Sequence, residues 1–396
     1  MDIYEKLGAK KVINASAHPT TLGGAIMYPG AVSAMVEASK YSVVMSELHK
    51  KAGEIIAKIT GAGAGLVTCG AAAAIVLGVA ACMTGVDRDK MLQLPDTAGI
   101  KNEVMIQKTH INMYTNLVKF TGAKIVIIGT SKDDLEMAIN DNTVAILHVA
   151  GMDRLGLPLE KVVPIAKKYN IPVLVYAAPD IPPKSNLRRF IVMGADLVAF
   201  SGGKALRGPN DTGILCGRRD LIGAAYLNSY EGMYEYGEPE DYKRILDKYA
   251  GMSTICRTMK VSKEQIVGLI VALQKYMEED EKEAIKIWAE RVKYIANILK
   301  DIPHISVEVF TEENIERMWN EIPRSELFTR VEISFNEKIL GKTVNQVNRE
   351  LMEGSPRIVA NVYREGVGGK IIIYPQSLQP GEEKLVALRL KEILSI

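Results

Sequence analysis

The sequence predicts an α/β protein with a mostly parallel central sheet, helices on both of its faces, and a smaller α+β domain. Three observations carry this. Between about residues 60 and 220, short apolar runs alternate with amphipathic ones, the pattern of βαβ units. Several of these runs, such as KIVII at 124–128 and TVAIL at 143–147, are rich in β-branched residues and nearly uniformly apolar, as strands covered on both faces are. The chain has 396 residues, and single cores stop growing at about 250 to 300, so a large domain plus a smaller one is expected.

In chain order, strands are expected at 65–68, 103–107, 124–128, 143–148, 173–177, 196–200 and 213–216, with helices at 71–83, 112–120, 133–139, 159–168 and 186–193. The run 262–299 has helical spacing throughout, with Ser262 as a cap, and reads as one bridging helix. Beyond Pro303, strands at 306–310, 328–335 and 370–374 and a helix at 343–352 form the small domain. The expected division is therefore an amino-terminal segment 1–50, a large α/β domain 51–260, and the bridging helix with the small domain over 261–396.

Composition narrows the function. Lys plus Arg (49) nearly balances Asp plus Glu (47), far from the concentrated basic surface that nucleic-acid binding needs. Four cysteines, Cys69, Cys82, Cys216 and Cys256, show neither a CxxC pair nor His-rich spacing, so no metal site is expected and reduced cytoplasmic thiols are. The amino terminus carries charges at Asp2, Glu5, Lys6, Lys10 and Lys11, which rules out a signal-peptide core there. The stretch from Ala62 to Val86 lacks any charge and is long enough to span a bilayer. Its Gly and Ala content, without the Leu, Ile and Phe that drive insertion, predicts a buried helix instead.

The sharpest local feature is Ser201-Gly202-Gly203-Lys204-Ala205-Leu206-Arg207-Gly208-Pro209, directly after an expected strand, where α/β proteins place their sites. It is not a P-loop, because Val198 stands where the first Gly should be and Ala205 follows the lysine. The glycines at 61, 63 and 65 are not a dinucleotide fingerprint, because Leu66 occupies the last Gly position. On this segment alone, a lysine in a glycine-flanked turn is usually a solvated charge.

The wider pattern decides differently. The segments VINAS at 12–16, LGG at 22–24, GAAAA at 70–74 and GADLVAFSGGKALRGPNDTGIL at 194–215 together resemble the SelA-like branch of PLP-dependent enzymes of fold type I, the aspartate-aminotransferase-like fold. That branch contains bacterial selenocysteine synthases and aminosugar-acid ammonia lyases, and the chain looks closer to the lyases. The resemblance implies pyridoxal 5'-phosphate as cofactor, Lys204 as its Schiff-base residue and proton carrier, and a homodimer or higher assembly. It implies a lyase acting on a 2-amino acid or amino-sugar acid. A racemase, a selenium transferase and a scaffold that has lost catalysis remain open beside it, though no basic extension suited to gripping RNA is present.

A site for this cofactor needs a phosphate cradle, a lysine amine and something flat against the ring. By resemblance the cradle is Cys69, Gly70, Ala71 and Ala72 at the head of the Ala-rich helix, where backbone N–H groups and the positive helix end meet an anion. The family usually has Ser at 69, and Ser201 is a further phosphate candidate. His110 falls where relatives place the ring-stacking residue, while His18 is left unassigned. Arg207 is a candidate substrate-anion ligand, with Arg357 and Arg364 competing from the small domain. The main departure is Tyr176: relatives carry Asp there to hold the pyridine nitrogen protonated, and in VLVYAAPD the nearest acid is Asp180, four residues on.

Overall fold

The computed structural model of the chain describes residues 2–229, 253–311, 329–366 and 368–395. Internal contacts divide the chain into two compact units, Met27–Glu278 and Met1–Ile26 with Glu279–Ile396. In chain order the strands are β1 Ile13–Ala15, β2 Ala64–Thr68, β3 Glu103–Gln107, β4 Lys124–Ile128, β5 Thr143–Val149, β6 Val173–Tyr176, β7 Leu197–Ser201, β8 Gly213–Gly217, β9 Ile305–Phe310, β10 Arg330–Asn336, β11 Ile358–Glu365 and β12 Gly368–Ile373.

The larger unit is built on a seven-stranded sheet of order β2-β8-β7-β6-β5-β3-β4, in which β8 alone runs against its neighbours. Both faces of the central strands are covered, and β5 to β8 are largely apolar accordingly, whereas the edge strand β4 departs from the expected burial, with Ile127 62% exposed. On one face Leu147, Leu174, Leu197 and Ala199 pack with Ala74, Ile75 and Val79 of helix Gly70–Thr84. On the other, Ile146, Val175, Val198 and Phe200 pack with Ile56, Val162, Ala166 and Leu187 from helices Met45–Thr60, Leu159–Lys168 and Asn186–Val192. Helix Gly70–Thr84 is apolar all round and almost entirely buried, as the uncharged stretch predicted. Among the described residues no helix is long and apolar enough to cross a membrane.

The smaller unit has a five-stranded sheet of order β1-β11-β12-β10-β9. Strand β1 pairs in parallel with β11, Ile13 opposite Ile358, so the two ends of the chain share one sheet. Helices Glu281–Leu299, Val344–Glu353 and Glu382–Leu394 bury Val292, Ile295, Val347, Leu351, Val386 and Leu390 against it. The partition thus falls after Ile26 and Glu278, where the sequence places boundaries at 50 and 260.

Two expected helices differ. The run 262–299 is broken into Lys263–Glu278 and Glu281–Leu299, because the Asp280 side chain accepts the Lys282 N–H at 3.0 Å and starts a new helix. The segment 112–120 is not an α-helix: Asn112 Oδ1 accepts the N–H groups of Tyr114 (2.8 Å) and Thr115 (3.2 Å), and a 3-10 helix Thr115–Thr121 follows. Of the strand expected at 328–335, residue 328 lies outside the described residues, Thr329 precedes the strand, and 330–335 fall in β10.

One buried group gives the larger unit an acid limit. His49, 6% exposed in helix Met45–Thr60, lies 5.7 Å from the Tyr226 ring, and burial pushes its pKa down to about 4. The unfolded chain, with His near about 6.5, binds this proton first, so stability is full above about pH 6.5 and falls as the pH drops toward 4. At pH 5 this one group costs about 2 kcal/mol. Denaturant melts of His49→Phe should therefore show a shallower loss between pH 6.5 and 5 than the parent; equal slopes would refute the assignment.

Candidate active site

Parallel strands bring their carboxyl ends to one edge, and the lysine loop leaves from the middle of it. Lys204 follows Ser201, the last residue of β7. The loop closes on itself: the Gly202 N–H donates to Thr212 O at 2.8 Å, the Gly208 N–H to Gly202 O at 2.9 Å, and the Arg207 N–H to Lys204 O at 2.9 Å. Thr212 Oγ1 donates to Pro209 O at 2.7 Å. Arg207 takes a left-handed φ of 52°, and its guanidinium lies 4.1 Å from the centre of the Tyr28 ring.

The loop ends at Gly213, opposite Ser201 in the β7–β8 pair. A Cβ on Gly213 would overlap the backbone of Gly70 and Ala71, so the strand returning from the lysine loop lies directly against the start of helix Gly70–Thr84. Cys69 is the N-cap of that helix and makes no side-chain cap hydrogen bond, and Gly70 has φ 83°. The first N–H groups of any helix have no intrahelical partner, and here they add to the positive end of a helix dipole. Burial, reinforced by Asp211, pushes the Cys69 thiol up, so it stays a neutral group. Cys69, Gly70, Ala71, Ala72, Ser201 and the lysine loop are thus brought to one place.

Tyr176 ends β6, with its backbone carbonyl accepting the Ala150 N–H at 3.0 Å. Its side chain is 5% exposed, and burial, then Tyr114 and Asp180, raises its pKa, so it is an uncharged phenol. After β6 the chain turns, the Asp180 N–H donating to Ala177 O at 3.2 Å, and Asn186 Nδ2 donates to the Asp180 carbonyl at 2.6 Å. Asp180 is 5% exposed and acts electrostatically on both Tyr176 and Lys204. Lys204 is itself lowered below its ordinary value by burial, against the opposing pull of Asp180.

His110 is placed differently from a stacking ring. It is 0% exposed, edge-on to His148 at 4.6 Å between centroids, and its Nδ1 accepts the Val149 N–H at 3.2 Å. Burial, then His148, pushes its pKa down to about 3. A ring enclosed on all sides has no open face for a cofactor. The partly exposed aromatic at this edge is Tyr114, 5.5 Å from the Tyr176 ring, a residue that sequence reasoning missed. Also missed were His148 and Asp153, paired at 2.9 Å, although a histidine inside the apolar run TVAILHVA was a visible signal. Burial pushes the Asp153 carboxyl up, but its hydrogen bond and charge interaction with His148 bring it below the ordinary value overall. Gln107 holds the same loop, exchanging hydrogen bonds with the Leu157 carbonyl (2.9 Å) and N–H (2.6 Å).

The remaining candidates belong to the smaller unit. The Arg357 carbonyl accepts the Ile13 N–H at 2.8 Å, and Arg364 pairs with Glu337 at 3.1 Å, so its charge is engaged there.

The aminotransferase class-V family model matches residues 94–319, which takes in β3 to β8 and the lysine loop. The chain belongs to the aminotransferase class-V family. It is similar over 99% of its length, at 29% identity, to a D-glucosaminate-6-phosphate ammonia lyase of Salmonella typhimurium, covering 98% of that protein. It is equally similar, at 29% identity, to a 5'-C-glycyluridine monooxygenase-decarboxylase of a Streptomyces species, covering 92% of it. A selenium transferase for L-seryl-tRNA(Sec) from Mannheimia succiniciproducens is 24% identical over 76% of the chain and 70% of that protein. A solved structure of D-glucosaminate-6-phosphate ammonia-lyase superposes with TM-score 0.80 and 28% identity, covering 100% of this chain and 98% of that one.

Class-V aminotransferases are pyridoxal-phosphate enzymes of fold type I, and this chain is one of them. Its residues fit the cofactor on structural grounds: an uncapped helix start that Gly213 leaves open to backbone contact, and a half-buried lysine on the adjoining loop. Gly213→Ala should therefore cost about 1–3 kcal/mol through overpacking. Gly223→Ala, at a helix position with open space around it, should be neutral or stabilising. Thermal melts of the two variants side by side check this, and equal melting temperatures would remove the close approach as a constraint.

Proposed function

We propose that this chain is a pyridoxal-phosphate-dependent lyase acting on an amino-sugar acid or other 2-amino acid, with Lys204 as the cofactor-bonded residue and the base. The observation that carries the reading is the contact between the lysine loop and the uncapped helix start. The full-length likeness to an aminosugar-acid ammonia lyase supports the same reaction class.

When bound, pyridoxal phosphate supplies an aldehyde for amines and a ring that withdraws electrons from the carbon beside the substrate nitrogen. The chain's own residues do the rest. The N–H groups at Gly70, Ala71 and Ala72, with the helix dipole, bind the phosphate, and Ser201 adds a hydroxyl beside them. Tyr176 would be the group offered to the ring nitrogen, as a neutral phenol. Arg207 holds a substrate anion at the loop's edge. Burial favours the uncharged amine of Lys204, which can accept the proton from substrate carbon 2 while the substituent on carbon 3 departs with the electron pair. The same first step leads to racemisation if the proton returns to the opposite face. The equal likeness to a monooxygenase-decarboxylase makes carboxylate loss from a 2-amino acid the second reading.

Purified protein should be yellow, and borohydride should fix a phosphopyridoxyl group on Lys204. Lys204→Ala should lose the label and at least about 100-fold in rate. A label on another lysine, or none after the cofactor is added, would end the proposal. Incubation with amino-sugar acids and amino acids should release ammonia with a keto acid; carbon dioxide release with oxygen consumption would favour the second reading.

The working unit is a homodimer or an assembly of dimers in the cytoplasm, where its cysteines stay reduced. Exposed Val32, Val36, Tyr41, Val43 and Val44 on and after helix Pro29–Ala38 support self-association. Light scattering should give at least twice the mass of the 43.4 kDa chain. A fully active monomer would overturn this.

A further inference from the structure

Arg207 closes the turn that carries Lys204, and it does so with a backbone that side chains normally avoid. Its φ of 52° lies in the left-handed region that glycine enters without strain. The Arg207 N–H donates to Lys204 O at 2.9 Å, and the Arg207 carbonyl accepts the Tyr28 N–H at 3.1 Å. The guanidinium lies 4.1 Å from the centre of the Tyr28 ring, and Tyr28 is only 7% exposed. Tyr28 is held by its own place in the chain, as the N-cap of helix Pro29–Ala38 with proline in the first turn. That helix and the lysine loop rest on one support: a Cβ on Gly268 of helix Lys263–Glu278 would stand 2.7 Å from Met35 and 3.0 Å from Pro209. We infer that Tyr28 is the positioning residue of the substrate subsite, its ring fixing the Arg207 guanidinium as the ligand for the carboxylate on the substrate's amine-bearing carbon.

Glycine would build this turn without strain, so the turn by itself gives no reason for an arginine at 207; a guanidinium needed in one position does. A free arginine side chain has many rotamers, and an anion that binds it must offset the entropy of fixing them. Stacking on Tyr28 fixes the guanidinium plane before any ligand arrives. A guanidinium held by its face still directs its N–H groups along its edges, the geometry that a carboxylate meets with two hydrogen bonds. Position selects which anion. Lys204 and Arg207 are the first and last residues of one hydrogen-bonded turn, whose end α-carbons lie within roughly 7 Å of each other. When a substrate amine takes the place of the lysine amine, the carboxylate on the same carbon is the anion within reach of Arg207. The helix start at Gly70 is left for the cofactor phosphate.

This inference rests on the reading of the chain as a pyridoxal-phosphate enzyme for amino-sugar acids or other 2-amino acids, so the parent holoenzyme is first checked for a borohydride label on Lys204. The deciding measurement titrates the bound chromophore's absorbance with D-glucosaminate and with 2-amino-2-deoxy-D-glucitol, the same amine without a carboxylate. The ratio of the two dissociation constants reads the carboxylate contact. Arg207→Ala and Arg207→Gly should each lower this preference at least about 10-fold, while the glycine variant melts at the higher temperature because its backbone is relieved. Tyr28→Leu should lower the preference about 5-fold and leave the amino alcohol's affinity within about twofold of the parent. Tyr28→Phe, which keeps the ring, should retain the parent's preference. An unchanged preference in Tyr28→Leu overturns the inference, as does an equal weakening of both probes, which a general disturbance of the site would give. A preference that Arg207→Gly preserves would make the side chain a support of the turn and nothing more, and a glycine variant no more stable than the alanine one would remove the strain; either result also overturns it. Where Tyr28→Leu does not fold, Tyr28→Met decides by the same criterion. A parent with no label on Lys204, or with no response to either probe, would instead defeat the functional reading beneath.

Discussion

The backbone of Gly213 lies against the backbone of Gly70 and Ala71 with no room for a single further carbon, and the site depends on this approach. Gly213 stands opposite Ser201 in the β7–β8 pair, so one strand pair holds both ends of the lysine loop. The position of Lys204 and the position of the helix start are therefore fixed by the same contact. A side chain at 213 would push the strand from the helix and move the amine relative to the anion-binding N–H groups. Backbone complementarity here is a condition of the chemistry as well as of packing.

The sheet's two faces divide the labour. Alternation along β5 and β6 puts Val149 and Tyr176 on the face of helix Gly70–Thr84, and His148 on the other face with Ile146. The helix is made of small residues because it must lie close: a Cβ at Gly78 would stand 3.1 Å from Leu174 and 3.4 Å from Leu197. Tyr176 and the helix start thus share a face, while His148, Asp153 and Gln107 brace the loop after β5.

What was legible in the sequence was what local pattern determines. Every strand expected between 60 and 220 is present, because burial on both faces writes itself into the sequence as apolar β-branched runs. The closing of the lysine loop was legible in its glycines. Strand β1 was not, since its partner β11 lies at the other end of the chain and pairing of that kind leaves no local trace. The break at Asp280 was hidden because the charged residues there suit a helix surface as well as a helix cap. His110 was placed near the site but in the wrong attitude: position along the chain identifies a neighbourhood, and only packing shows which ring keeps an open face.

The distribution of charge around the strand ends follows from burial. Two imidazoles 4.6 Å apart in a closed core cannot both be cationic, and with Nδ1 of His110 accepting the Val149 N–H, its proton is assigned to Nε2. His110 is thereby a neutral ring at physiological pH, as its pKa of about 3 requires. Tyr176 and Cys69 are neutral for the same reason of desolvation. Positive character then comes from the helix start, the loop guanidinium of Arg207 and the amine of Lys204. Asp180 acts electrostatically on Lys204, and Asp211 on Cys69 at the helix start. An anionic ligand entering this edge is drawn to the helix start and the arginine, while burial favours the uncharged amine of Lys204. That separation lets one site bind strongly anionic groups and still keep a lysine whose proton can leave and return.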